Sequence, residues 1–400
     1  MKDSFKGQAM NSLNPKWEQA IKREKELYSR DTDIRTEFER DYTRIIHSNA
    51  YKRLKHKTQV FFSPEDDHIC TRIEHVTHVE SISYTIAKYL GLNAELTKAI
   101  ATAHDIGHSP FGHKGEDILS EIAQNVIGKK FWHEKNGLEI VDKIELLEDN
   151  LGNMQNLNLT YAVRDGIVSH CGEIDQNNLK PRDEAIDLND YEYPNQYSPY
   201  TWEGCVVKIA DKISYIGRDI EDAIRLGILD EQLSNLYEML NCGKEELLVN
   251  NTVLINKFIY DLCENSSKEK GLCFSEPIYK LINDLKKFNY KYIYKSERMN
   301  PSIEYFEVVI KNIYKILEGT YENEKTLENI NELKKYYPKL MNSFEEWLMN
   351  YWNFKRSDKA KNEVIVNMEN AKEYYKAIIY YISGMTDNFA MDMYNEIIKF

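Results

Sequence analysis

Apolar residues recur at helical spacing along nearly the whole chain, and no stretch sustains the period-two alternation that a sheet of several strands would need. That pattern restricts the fold to helices packed on helices. From Val79 the positions Ile82, Ile86 and Leu90 follow one face of a helix, and Gly91 ends the run. Asn93 is placed to cap a second helix, whose Leu96, Ile100 and Ala103 recur at i, i+4 and i+7 and lead into His104 and Asp105. A third helix carries the stripe Val206, Ile209, Ile213, Ile216, Ile220 and Ala223. The expected class is all-α. Residues 181–200, rich in Pro, Asp and Tyr, read as a surface loop, and residues 226–375 read as amphipathic helices without a chemical motif.

Hydrophobic residues at 42% and charged residues at 29% describe a globular chain able to bury a large core. No apolar run is long enough to span a bilayer, and the first residues have neither a hydrophobic core nor a small-residue cleavage site, so the expected location is the cytoplasm without membrane attachment. Cys70, Cys171, Cys205, Cys242, Cys263 and Cys273 are scattered with no CxxC, which predicts free thiols. A net charge of -13 argues against broad nucleic-acid binding, because phosphates would meet repulsion over most of the surface. An anionic small substrate would need a local cationic pocket, and the basic run Lys52, Arg53, Lys55 and Lys57 is local in that way.

The chain has 10 histidines, yet His68, His75, His78, His104, His108, His113 and His133 crowd into one short stretch. His104 and Asp105 together offer an imidazole nitrogen and a carboxylate oxygen. Helix neighbours point about 100° apart, so both reach one ion only near a helix end, which Gly107 and Pro110 supply. A lone His-Asp pair is ordinarily a surface pair; the neighbours matter more. His75 sits one turn before Val79 on the inward face, where a buried imidazole needs a partner. His78, on an adjacent strip of the same helix, competes with it, and spacing alone does not choose.

On the third helix Asp211, Tyr215, Arg218, Asp219 and Asp222 fall on the face away from the apolar stripe. A solvated face is the ordinary explanation of such a pattern, but a tyrosine among acceptors, with Lys212 and Arg218 beside them, also suits a wall that grips a sugar and phosphates. Two imidazoles and two carboxylates would make a mixed N/O site favouring Mn, Fe, Co, Ni, Zn or Mg, with positions open to water and a phosphate oxygen.

The order of these residues resembles the H…HD…D signature of the HD-domain metal phosphohydrolases, with His75, then AHDIGHSPFGHKGE (103–116), then IADKISYIGRDIEDA (209–223). More narrowly the chain resembles the dGTPase branch, the deoxynucleoside triphosphate triphosphohydrolases. RTEFERDYTRIIHSNAYKRLKHKTQVF (35–61), TRIEH (71–75), FWHEKNG (131–137), RDGIVSH (164–170) and YISGMTDNFA (381–390) follow that branch in order, and with the two blocks above they amount to 85 of the 400 residues, spread from 35 to 390. The resemblance implies an HD-domain helical bundle with an additional helical C-terminal region. Its parts would be an N-terminal extension (1–34), the HD core (35–225), an accessory region (226–375) and a C-terminal helix returning to the nucleotide site (376–400).

The resemblance further implies a divalent metal held by His75, His104, Asp105 and Asp211. It implies water attack at the α-phosphorus, with tripolyphosphate and a deoxynucleoside as products. His113 and Glu116 match the family's catalytic His-acid pair, and His133 and His108 match further active-site histidines, His108 toward phosphate. Gln59 matches the reader of the sugar 3′-hydroxyl, Tyr215 and Asp219 the pair under the deoxyribose, and Arg72 and Lys212 phosphate contacts; Arg53 is added on charge alone. A homo-oligomer and a dNTP activator are implied as well. Asn136, Ser383 and Phe389 depart from the commoner pattern, which bears on base preference and on any activator site rather than on the metal. Other expectations compatible with the residues are an HD phosphohydrolase acting on an alarmone or a monophosphate, and a non-catalytic nucleotide sensor.

Overall fold

The computed structural model of the 400-residue chain describes residues 5–27, 33–62, 66–171, 177–240, 251–356 and 358–399. It is all-α as expected, with 17 α-helices among the described residues. The exception is a short antiparallel hairpin, Leu146–Glu148 paired with Met154–Asn156. Three-residue strands are too short to register as alternation. Cys70, Cys171, Cys205, Cys263 and Cys273 are buried and form no disulfide among the described residues; Cys242 lies outside them. Among the described residues no helix is long and apolar enough to cross a membrane.

The chain forms two compact units built from interleaved stretches. One comprises Met1–Thr43, Ser63–His104 and Leu159–Pro301, the other Arg44–Phe62, Asp105–Asn158 and Ser302–Phe400. In the first, the helix Arg72–Leu90 begins at a capping box in which the Glu74 carboxylate accepts from Thr71 N at 2.8 Å. It ends at Gly91, whose φ of 75° is the left-handed conformation that terminates helices. The helix Ala94–Ala103 follows after three residues, capped by Asn93 Oδ1 accepting from Glu95 N and Leu96 N, and both helices pack on Trp202–Arg225.

Trp202–Arg225 is the axis of this unit. Tyr161–Ser169, Asn251–Asn265 and Glu276–Asn289 pack on it too, so it is buried on more than its apolar side. Val206, Ile209, Ile213, Ile216, Ile220 and Ala223 are buried as predicted, each larger aliphatic stabilising by about 1.5–3 kcal/mol. The opposite face is not the solvated one the pattern suggested: Asp219 and Asp222 are buried as well. A helix enclosed by neighbours brings its polar face into the interior, where each acid needs a partner. Asp222 has the amide of Cys70 and the guanidinium of Arg218. Asp219 accepts from the Tyr294 hydroxyl.

In the second unit Gly112–Ile127 packs on Ala371–Ser383, and Pro338–Leu348 packs on Ala371–Ser383 and on Asp387–Ile398. Lys57, grouped with the basic run by sequence, is not a surface charge. It is 2% exposed and its ammonium donates to the carbonyls of His108 and Ser383, while Lys52 and Lys55 remain exposed.

Candidate active site

Three side chains of the first unit, His75, His104 and Asp211, have donor atoms that all lie within 4.8 Å of one another. His75 comes from the first turn of Arg72–Leu90, His104 is the C-cap of Ala94–Ala103, and Asp211 lies midway along Trp202–Arg225. His104 Nδ1 is 2.7 Å from the Ala101 carbonyl, which can only accept, so Nδ1 carries the proton and Nε2 the lone pair. Ser214 Oγ donates to the Asp211 carbonyl at 2.9 Å and sits 3.3 Å from His75 Nδ1, which therefore is the donor there. Both imidazoles thus turn Nε2 lone pairs toward the Asp211 carboxylate.

His75 Nε2 is 3.0 Å and His104 Nε2 3.7 Å from Asp211 Oδ1. An ionised carboxylate is also acceptor-only. Acceptors this close repel unless a proton or a cation lies between them, so the donor set fits a divalent ion with N/O preference. His78, the competing residue, is half-buried beside this group, and burial lowers its pKa, with Arg218 and His75 adding to the effect. It is not among the grouped donors. Asp105 follows His104 in the chain, is buried, and belongs to the second unit, where its Oδ1 lies 3.1 Å from His108 Nε2.

The second unit gathers His108, His113, Glu116 and His133. His113 and Glu116 share the first turns of Gly112–Ile127, with His113 Nδ1 3.3 Å from Glu116 Oε2. Glu116 also holds His133, accepting from its backbone N at 2.9 Å and lying 3.0 Å from its Nδ1. His133 stacks on His108 with ring centroids 3.7 Å apart. The His113 side chain is 57% exposed, so this group has one open edge.

Burial opposes charge on His133, but the carboxylates of Glu134 and Glu116 outweigh it and raise its pKa to about 10. Burial likewise opposes charge on Glu116, and His133 and His113 overcome it, holding its pKa well below the ordinary value. Imidazolium and carboxylate therefore coexist at neutral pH. The His133 contribution to stability is complete below its unfolded value near 6.5 and is lost as pH rises through about 10; the Glu116 contribution is present above about 4.5 and lost as pH falls. Replacing Glu116 by Gln is expected to lower the His133 pKa by about 1–3 units. Ring-nitrogen NMR of His133 measures it, and an unaltered titration in Glu116→Gln would contradict the pairing.

Residues 72–216 match the HD domain family. Deoxyguanosinetriphosphate triphosphohydrolase-like proteins of Desulfatibacillum aliphaticivorans and Caldanaerobacter subterraneus subsp. tengcongensis are each 32% identical over 91% of this chain, covering 88% and 86% of their own lengths. A third, from Bartonella quintana, is 32% identical over 98% of this chain and 96% of its own length. The chain belongs to the deoxyguanosinetriphosphate triphosphohydrolase-like family. It is an HD-domain hydrolase whose His and Asp groups can bind a metal.

The remaining predicted residues of this dGTPase-like chain are divided between the units. In the first, Arg72 is fully buried at the start of its helix, three residues before His75, and Tyr215 is half-buried one turn beyond Asp211. Asp219 is engaged by Tyr294, and Lys212 lines a recess of about 30 Å³ with Lys208, Asn195 and Tyr279. In the second, Gln59 is buried. Arg53 lies outside the histidine group. It pairs with Glu145 at 3.2 Å and lines a separate recess of about 280 Å³ with Trp347, Tyr380 and Phe389.

Sequence reasoning missed Ser214 and His170. Ser214 sets the His75 tautomer, and His170, buried, sets its ring edge-to-face with His104 at 5.0 Å. The signal for Ser214 was its place one turn after Asp211, and for His170 the RDGIVSH block that ends on it.

Proposed function

We propose that this chain hydrolyses deoxynucleoside triphosphates to deoxynucleoside and tripolyphosphate, by water attack at the α-phosphorus, using a divalent cation. The observation that carries the metal is the convergence of His75 Nε2, His104 Nε2 and the Asp211 carboxylate, whose donor atoms lie within 4.8 Å of one another. The substrate class is supported by the relatives, which are named for deoxyguanosinetriphosphate hydrolysis, and by the motif blocks shared with that branch.

His75, His104 and Asp211 would hold the cation, with Asp105 as the fourth ligand in the HD pattern. A bound Mn, Fe, Co, Ni, Zn or Mg ion would supply Lewis-acid charge neutralisation at the phosphate and acidify water. The protein's own groups supply the rest. Glu116, kept anionic, accepts a hydrogen bond from His113 Nδ1 and so leaves His113 Nε2 as the site of proton transfer, to the leaving O5′ or from the attacking water. The cationic His133 offsets negative charge that builds on phosphate oxygens, as would Arg72 and Lys212. Gln59 would read the 3′-hydroxyl. Tyr215 with Asp219 would pack under the deoxyribose, leaving a 2′-hydroxyl no room or partner.

His113→Ala is expected to lower kcat by about 10²–10⁴-fold while metal content stays at the level of the unaltered protein. Loss of metal in that variant would reassign His113 to the ligand set. An assay of all four dNTPs with Mn²⁺, separating phosphate products by ion chromatography, tests the reaction class. Tripolyphosphate is expected, and release of only orthophosphate or pyrophosphate would exclude it.

A further inference from the structure

The turn Gly107–Phe111 joins the HD pair to the helix that carries His113 and Glu116, and it is tied down by groups the proposed chemistry does not use. Phe111, the N-cap of that helix, has φ 63°, a left-handed conformation costly for an aromatic residue. Such a conformation persists only where the surroundings over-determine it. Here the Asp387 carboxylate does so: Oδ1 accepts from Phe111 N at 2.8 Å, while Oδ2 accepts from Thr58 N, also at 2.8 Å. Thr58 immediately precedes Gln59.

One buried carboxylate from the C-terminal helix Asp387–Ile398 therefore spans the segment presenting Gln59 and the start of the His113 helix. Its negative charge also lies at the positive end of that helix. Lys57 reinforces the arrangement, donating to the carbonyls of His108 and Ser383, and Asn136 joins Gly107 O to Ser383 Oγ. We infer that Asp387 is a positioning residue of the active site, a clamp that fixes the Gln59 segment and the His113–Glu116 helix in one register. This deepens, and rests on, the functional reading given above, in which Gln59 touches the sugar and His113 moves the proton.

A clamp differs from a merely structural acid in what its loss disturbs. Asp387→Ala frees both amides at once, whereas Thr386→Ala removes only the cap of the C-terminal helix, the hydroxyl that accepts from Phe389 N. Both variants, and the unaltered protein, are assayed with dGTP and Mn²⁺, together with metal content and amide hydrogen exchange. Asp387→Ala is expected to lose about 10²-fold in kcat and to raise KM, with metal content unchanged, because displacements near 1 Å cost that much. Thr386→Ala should keep both constants within about twofold. Exchange should quicken at Thr58 and Phe111 together in Asp387→Ala and at neither in Thr386→Ala. Unaltered kinetics in Asp387→Ala, or an equal loss in Thr386→Ala, would overturn the inference. Were the unaltered protein to turn over no dNTP, the functional reading would fail on its own. The clamp would still be decided by exchange, with joint deprotection of the two amides supporting it and deprotection of one alone overturning it.

Discussion

Asp211→Ala should yield a folded protein that has lost its divalent cation and about 10³-fold or more of its turnover. Asp211 is the sole carboxylate of the first unit's donor group, so its removal takes away the charge on which the two imidazoles converge. A metal supplies several kcal/mol of charge stabilisation in such chemistry, and 1.36 kcal/mol is a factor of ten in rate. The fold should survive, because Asp211 is partly exposed and the apolar stripe of its helix is untouched. Asp222→Asn, on the same helix, is the contrast. Its carboxylate binds Cys70 N and Arg218, so that change should lower stability and leave metal content alone. Elemental analysis of both purified variants, beside their kcat, separates the two roles. An Asp211→Ala protein with normal metal and turnover would remove Asp211 from the site.

Gly107→Ala should be nearly as damaging, by another route. A Cβ at Gly107 would lie 2.0 Å from the His133 carbonyl oxygen and 2.3 Å from Gly137 N. These are backbone atoms of the helix His133–Glu139, so no rotamer change relieves the clash, and the helix itself must withdraw. Overpacking costs about 1–3 kcal/mol even when side chains can adjust, so about 3 kcal/mol or more is expected here. In thermal melts of a chain this long that is a fall on the order of 4 °C. Because His133 stacks on His108 and binds Glu116, withdrawal also opens the histidine group, and turnover should fall about 10²-fold below the melting range. A variant with unaltered melting and kcat would show that the close approach at Gly107 is not required.

What the sequence disclosed, and what it hid, follows from how local each determinant is. The helices bearing His75, His104 and Asp211 announce themselves through apolar stripes and through Thr71–Glu74, Gly91 and Asn93, all of which act within a turn or two. Choosing His75 over His78 needs partners far away in sequence, since Ser214 lies against His75 Nδ1 and Asp211 against its Nε2. Glu116 was legible as the neighbour of His113 at helical spacing, but its second partner, His133, comes from another helix. Lys57 looked like one charge in a basic run, because composition cannot tell an exposed ammonium from one held by carbonyls of His108 and Ser383. The same holds for Asp219 and Asp222, whose polar spacing suggests a wet face until the packing of neighbouring helices encloses it. The interleaving of the two compact units is equally invisible to periodicity, which records which face a helix buries but not what covers it.

Hydrolysis of dGTP by the Mn²⁺-loaded protein in ¹⁸O-water, with both products resolved by mass spectrometry, tests the proposed chemistry most directly. Attack on the α-phosphorus places one labelled oxygen on tripolyphosphate and leaves deoxyguanosine unlabelled. Label in deoxyguanosine, or products limited to pyrophosphate or orthophosphate, would contradict it.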